Sequence, residues 1–368
     1  ATPARGTIIL PWSTVASQKG RTIFLAIQAG RWNIYQPQEG DIWLTKDVRD
    51  KKVWEKALNK VEGIFHFAAY QDYLPDFSKF FQVNVAGTAL LYEVIVEKKL
   101  NIKKVVVASS QAVYGEGQYR CRNRECRMHR VKCYQPLNRV REQLLRAEWE
   151  IKCPVCKRDM QNLLLQEEFS NPCNQYALSK YAQELTALRL GRLHNIPTVA
   201  LRYSIIQGPR QSPFNPYSGI LRRFCLRLFN DLPPIIYEDG KQQRDYTHIK
   251  DAVAANLKVF NSEKVNYEVY NVGSGCSTTV LEYADRLMKR MNRYFKPIIK
   301  NEFRLGDNRH SVSSNKKLKS LGWSPGRTID EIISEYIEWI ESKGRHLTYF
   351  LTAEKEMQKL GVVIRAGR

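Results

Sequence analysis

The first forty residues hold only Gly6, Gly20, Gly30 and Gly40, at neither GxGxxG nor GxxGxxG spacing. The commonest sequence mark of a loop that closes on a dinucleotide pyrophosphate is therefore missing. No window approaches eighteen uncharged apolar residues, which excludes an ordinary membrane-spanning helix. The N-terminus has no basic-then-apolar run with a small-residue cleavage site, so a cytoplasmic protein is expected. Internal repeats and low-complexity segments are absent. Acidic residues are scarce: 37 Asp and Glu face 58 Lys and Arg, a formal charge of +21. Clustered charge of that sign attracts nucleic acid. Here it is spread along the chain apart from short groups such as Lys316-Lys317, so nucleic acid is not the expected partner. The plainer reading is a basic surface around a site for an anionic ligand. Eight cysteines in a cytoplasmic chain argue against a disulfide framework.

What is present is concentrated between Lys103 and Lys180. KKVVVASSQAVYG is a short β-branched apolar run, the pattern of a buried strand, ending in two serines and a turn. NQYALSKYAQE reads as the start of a helix with Tyr176 and Lys180 four apart on one face. Such a spacing is common on helices, where it is usually a packed tyrosine beside a solvated lysine. A serine at the end of a facing strand makes it a proton-handling arrangement. A phenol ionises near pH ~10 unless a neighbouring cation favours the phenolate, and Lys180 is placed to be that cation. Ser110 can share a hydrogen bond with the substrate oxygen that exchanges the proton.

Between about Gln118 and Ser170 the chain carries Cys121-x4-Cys126 and Cys153-Pro-Val-Cys156. Two short-spaced pairs can place four thiolates tetrahedrally around Zn²⁺, giving a closed, structural site. His129 and Cys133 are substitute ligands. The alternative is four unrelated reduced cysteines.

HFAAYQ (from His66), NVAGT (from Asn84), SSQAVYG (from Ser109), YALSK (from Tyr176), LRYSIIQGPRQ (from Leu201), QRDYTHIKD (from Gln243) and LGW (from Leu321) follow one another in the chain. Together they resemble the extended short-chain dehydrogenase/reductase superfamily, and within it the NAD-dependent nucleotide-sugar epimerases and dehydratases, over about residues 45–340. The resemblance implies NAD as cofactor, a nucleotide-sugar substrate and a homodimer formed through paired helices. It implies Ser110, Tyr176 and Lys180 as the catalytic set. Tyr176 and Lys180 would also face the cofactor. Asp47 would meet the adenine amino group and Val48 the adenine ring. Phe67, Ala68 and Ala69 would line the cofactor, with Ser109 and Tyr203 also near it and Asn84 bracing that side. Arg202, Tyr203 and Ser204 match a segment beside nicotinamide and sugar. Arg244 would clamp the diphosphate as a planar bidentate donor, Arg304 would contact phosphate, and Asp307 the nucleotide ribose. Asp245 and His248 would hold their loop together, and His66 would be a packing residue. In the related 4,6-dehydratases an Asp-Glu pair follows the catalytic serine or threonine. Here those positions are Gln111 and Ala112, which disfavours dehydration. The cysteine-bearing insertion resembles one in dTDP-sugar 4-epimerases.

The expected fold is α/β: a Rossmann-type doubly wound parallel sheet, a smaller C-terminal α+β substrate lobe and an inserted zinc-ribbon-like module. Residues 1–210 would form the NAD-binding part, containing the insertion at 118–170; 211–345 the nucleotide-sugar lobe; 346–368 a basic tail without evident function. GTIIL is a candidate first strand, 216–230 a helix, and 328–342 an amphipathic helix. The expected activity is 4-epimerisation. A related decarboxylase or reductase, and a cofactor-poor zinc-bearing scaffold, are the alternatives.

Overall fold

A computed structural model of the chain describes residues 23–26, 42–45, 47–59, 61–72, 75–211, 219–342 and 363–367. GTIIL and the four early glycines lie outside the described residues, as does most of the segment read as a C-terminal tail.

Four parallel strands form the central sheet in the order Val269–Val272, Thr198–Tyr203, Lys104–Ser110, Gly63–His66. A further parallel pair joins Ile23–Ala26 to Ile42–Thr45. Strands with neighbours on both sides and helices on both faces read as unbroken apolar runs, which is why Val105-Val106-Val107 shows no alternation. The period of two appears in what each residue touches. Val105 and Val107 join Leu91, Ile95 and Ala187 in one core; Val106 joins Leu201, Ala252 and Val259 in the other. The helices Gly87–Glu97 and Gln175–Leu193 supply the first face, and Ile249–Phe260 the second.

The helix expected from about Asp76 to Glu97 runs as Phe77–Phe81, a π turn at Gln82–Ala86, then Gly87–Glu97. Its length and apolarity would suit a membrane span. Half of it is buried, however, and Val83, Leu91, Val94 and Ile95 sit in the core, so it is a core helix here. Gly87 lets it come close to the turn at Val48: a Cβ there would lie 2.8 Å from Val48 Cγ2.

The C-terminal part has its own core between the helices Ile220–Phe229, Val280–Arg290 and Ile329–Ser342. A capping box, Thr279 with Glu282, starts the second of these. Within the segment read as a basic tail, Val363–Arg365 pairs antiparallel with Glu302–Arg304, and Ala366 packs beside Phe303. The insertion is a small unit in which Tyr119–Arg120 pairs with Gln161–Asn162 over Tyr119, Ile151, Met160 and three buried cysteines.

One ion pair fastens the long helix to the sheet. Glu184, two turns beyond Tyr176, is buried and receives Arg202 Nε at 2.9 Å and NH2 at 2.7 Å. It also accepts the Ser109 hydroxyl at 2.6 Å. Ser109 and Arg202 are directly opposed on adjacent strands, as are Ser110 and Tyr203. Glu184 therefore fixes how far along the strand the helix sits. Replacing Arg202 by Met would leave a buried carboxylate without its cation, a loss of ~3–5 kcal/mol. Urea unfolding should show it; a loss below about 1 kcal/mol would mean that the pair does not hold the helix.

Candidate active site and cysteine centre

Ser110 ends the central strand. Its backbone is extended (φ −155°, ψ 148°) and its hydroxyl caps the following single turn by accepting from the Ala112 amide at 3.1 Å. Gly115 closes that turn at φ +58°, where a side chain would also collide with the Asn171 carbonyl. Opposite, Asn174 caps the Gln175–Leu193 helix by accepting from Ala177 N at 2.9 Å. This places Tyr176 in the first turn, its phenol near enough to Ser110 for that hydroxyl to favour the ionised form. Desolvation pushes the phenol up to about 12, and Ser110 works in the opposite direction.

Lys180 is 1% exposed. Its ammonium donates to the Ala108 carbonyl and to Gln183 Oε1. Burial draws it down to about 7, against the attraction of Glu184. The three catalytic candidates thus converge at the end of the central strand. The partners differ from the simple expectation, in which Lys180 makes Tyr176 acidic. Tyr176 is influenced by the neighbouring Ser110, and Lys180 donates to the strand carbonyl.

Behind them runs a polar chain. Gln183 Nε2 donates to Thr88 Oγ1 at 2.9 Å, and Thr88 donates to the Asn84 carbonyl at 2.7 Å. Asn84, in the π turn, accepts from Tyr70 N at 2.6 Å and donates to Tyr70 O and to Ser179 Oγ at 3.1 and 2.9 Å. Ser179 donates to the Tyr176 carbonyl at 2.9 Å. Asn84 therefore braces the catalytic helix and the loop after Ala69. His66 Nε2 lies 2.8 Å from Thr88 Oγ1, and burial together with the nearby Lys180 charge drives its pKa down to about 3. It is a neutral packing residue.

Other candidates divide. Phe67, Ala68 and Ala69 follow the carboxyl end of Gly63–His66, beside the Ser110 strand. Val48 is fully buried, packed by Gly87 and by Trp54, whose indole donates to the Val48 carbonyl at 2.8 Å. The Asp47 carboxylate is bound by Arg49 Nε at 3.0 Å, and that bond holds its pKa below the ordinary carboxylate value despite burial. Tyr203 points into the opposite core, donating to Asn256 Oδ1 at 2.7 Å. Arg244 is engaged within the chain. NH1 donates to the carbonyls of Gln243 and Arg309, and NH2 to that of Asn308, each at 2.9 Å, so it staples a loop. Arg304 Nε donates to Asp307 Oδ2 at 2.7 Å, so the phosphate and ribose candidates form one pair. Asp245, fully buried, accepts from Ser274, Gly275, Ser313 and Ser204 and is the loop anchor expected of it. His248 caps the Ile249–Phe260 helix.

The Sγ atoms of Cys121, Cys126, Cys153 and Cys156 all lie within 4.8 Å of one another. Cys121 and Cys156 are 3.7 Å apart, and Cys126 and Cys153 3.8 Å. A tetrahedron with Zn–S of ~2.3 Å has edges of roughly 3.8 Å, so these two separations suit a zinc site. The substitute ligands are otherwise engaged: His129 Nδ1 meets the Cys121 carbonyl at 2.9 Å, and Cys133 accepts from Gln118 at 3.2 Å.

A parallel α/β sheet with serine, tyrosine and lysine gathered beyond its strand ends is the architecture of a Rossmann-type nucleotide-dependent enzyme. Sequence comparison narrows this. The chain belongs to the NAD dependent epimerase/dehydratase family, whose model matches residues 16–150 and 154–273. It is 30% identical over 301 residues to the dTDP-L-rhamnose 4-epimerase of Burkholderia thailandensis, covering 80% of this chain and 79% of that protein. The fold is shared with the UDP-glucose 4-epimerase of Thermotoga maritima solved with UDP-glucose (22% identity, TM-score 0.66, 83% and 86% covered). It is also shared with that of Thermus thermophilus solved with NAD (24% identity, TM-score 0.64, 83% and 86% covered).

Lys180 gives a test by pH. Its folded pKa is below the unfolded value, so the folded chain is favoured fully above about pH 10.5 and loses that contribution as pH falls to about 7. Lys180→Met removes this dependence. Without added nucleotide, the melting temperature of the parent relative to this variant should rise between pH 7 and 10. A constant difference would mean that Lys180 is not held in a desolvating site.

Proposed function

We propose that the protein is an NAD-dependent nucleotide-sugar 4-epimerase. The meeting of Ser110, at the end of the central strand, with Tyr176 and Lys180 on one helix, Lys180 donating to the Ala108 carbonyl of that strand, is the observation that carries this reading. Tyr176 takes the proton from the sugar C4 hydroxyl and later returns it. Ser110 holds that oxygen in both directions. Lys180 supplies the positive charge that favours phenolate. NAD, when bound, accepts and returns the C4 hydride. The residues that would meet its nicotinamide end are Ser110, Tyr176, Lys180 and the Phe67–Ala69 segment. Gln111 and Ala112 offer neither acid nor base, and the Gln111 amide oxygen accepts from Ser311 at 2.9 Å, which favours epimerisation over water elimination. Arg304 and Asp307 face the diphosphate and ribose in this reading. Cys121, Cys126, Cys153 and Cys156 hold a structural zinc. A second copy packs on the helices Phe77–Glu97 and Gln175–Leu193, which expose Phe77, Phe81, Leu178 and Leu185.

The missing glycine spacing favours a second reading, a zinc-bearing homologue without catalysis. The two part on one measurement. Protein denatured after purification should release NAD and about one zinc per chain on the first reading, zinc alone on the second. Tyr176→Phe should lower turnover of UDP- and dTDP-sugars by ~10²–10⁴-fold, the usual contribution of a positioned acid/base. Turnover within about threefold of the parent would overturn the assignment. Light scattering should give twice the chain mass, falling to one chain with Phe81→Glu and Leu185→Glu together.

A further inference from the structure

The segment 302–310 carries Arg304 and Asp307, and it is gripped on two sides by the cysteine-bearing insertion. Beneath it, Phe303 is fully buried against Leu144 and Trp149, with the Trp149 and Phe303 rings 6.1 Å apart. Beside it, Arg139, 6% exposed, donates NH2 to the Asp307 carbonyl at 2.8 Å and NH1 to the Trp149 carbonyl at 3.2 Å. Arg139 also meets Glu116 at 2.8 Å and Glu238 at 2.9 Å. Arg309, fully buried, completes the arrangement. Its amide donates to Glu116 at 2.7 Å, and its guanidinium reaches Glu150 at 2.6 Å and Glu238 and Asp239 at 2.8 Å. His310 Nδ1 accepts from the Gln243 amide at 3.1 Å, which leaves Nε2 to donate to Glu150 at 2.9 Å.

Glu116, Arg139 and Glu150 thus reach out of the sequence around the cysteines to hold both ends of one turn. The turn itself is tight. Gly306 has φ +81°, and its carbonyl accepts from Asn174 Nδ2 at 3.3 Å. Asn174 is the cap of the helix that carries Tyr176 in its first turn. A shift in the insertion would therefore move the Arg304–Asp307 pair relative to the phenol. A buried network with several fixed partners for each charge has few alternative geometries, so it acts as a rigid mount.

We infer that the cysteine-bearing insertion sets the position of the Arg304–Asp307 turn and thereby the affinity for the phosphate-bearing half of the substrate, with Arg139 as the positioning residue. This rests on the epimerase reading for the identity of the ligand. Arg139 touches no substrate atom; it acts through the Asp307 carbonyl.

The test uses the full-length, zinc-replete protein, with UDP and dTDP as probes in calorimetry and UDP- and dTDP-sugars in kinetics. Arg139→Lys keeps the charge and loses the second donor, and Leu144→Ala loosens Phe303 from a different side. Each should weaken nucleoside diphosphate binding and raise KM about tenfold, with kcat within twofold. In an Arg304→Ala background the Arg139→Lys effect should shrink below about twofold, because the group being positioned is gone. A purely structural role would lower kcat and stability and leave the effect unchanged in that background. Parent protein that binds neither nucleotide would overturn the epimerase reading itself. Parent protein that binds, with Arg139→Lys and Leu144→Ala both within twofold of it, would overturn the inference alone.

Discussion

The active arrangement depends on one buried carboxylate. Glu184 takes the Arg202 guanidinium and the Ser109 hydroxyl from adjacent strands while standing on the same helix as Tyr176 and Lys180. Packing of Ala187, Leu91 and Val105 brings helix and sheet together, yet apolar contact is non-directional and tolerates sliding. A bidentate pair in a desolvated site does not, since a displacement of an ångström would strand a charge. The partnership of Ser110 with Tyr176 follows from that register.

Much of this was legible in the chain. The Ser110 strand, the Tyr176 helix and the cysteine pairs declare themselves through short spacings, because the residues that cooperate lie within one strand end, one helical turn or one knuckle. Glu184 did not, although a glutamate on the inner face of a buried helix is a signal. Its partners stand 75 and 18 residues away, and only the parallel register of Lys104–Ser110 with Thr198–Tyr203 makes them neighbours. Arg139 and Arg309 were hidden for the same reason: in sequence they are two more arginines in a basic chain. Arg244 and Val48 show the reverse: family position marks them as ligand contacts, while hydrogen bonding and burial also tie them into the framework.

Electrostatically, the site as described opposes its proposed use. Burial raises Tyr176 and lowers Lys180, so each is driven toward its neutral form. Any ligand that brings positive charge beside the phenol pulls its pKa down, and by linkage binds more tightly to the phenolate than to the phenol. Acid–base competence is then a property of the loaded site, which keeps a strong base from standing idle in solvent. The neighbouring Ser110 already works in that direction, lowering the phenol pKa against the desolvation.

The insertion carries the same logic to the substrate side. Glu150 is pushed up by burial, but His310 and Arg309 outweigh that and hold it at about 2. It is therefore a carboxylate throughout the physiological range, and the mount does not soften near neutral pH. The four thiols and the ion network are built on opposite ends of the same segment, with Ile151 and Cys153 directly following Glu150. Order imposed at the cysteines is transmitted over three residues to the charge that meets Arg309. A metal held by the four thiols, remote from the chemistry, would have a mechanical role there: it would stiffen the far end of the support on which Arg304 and Asp307 stand.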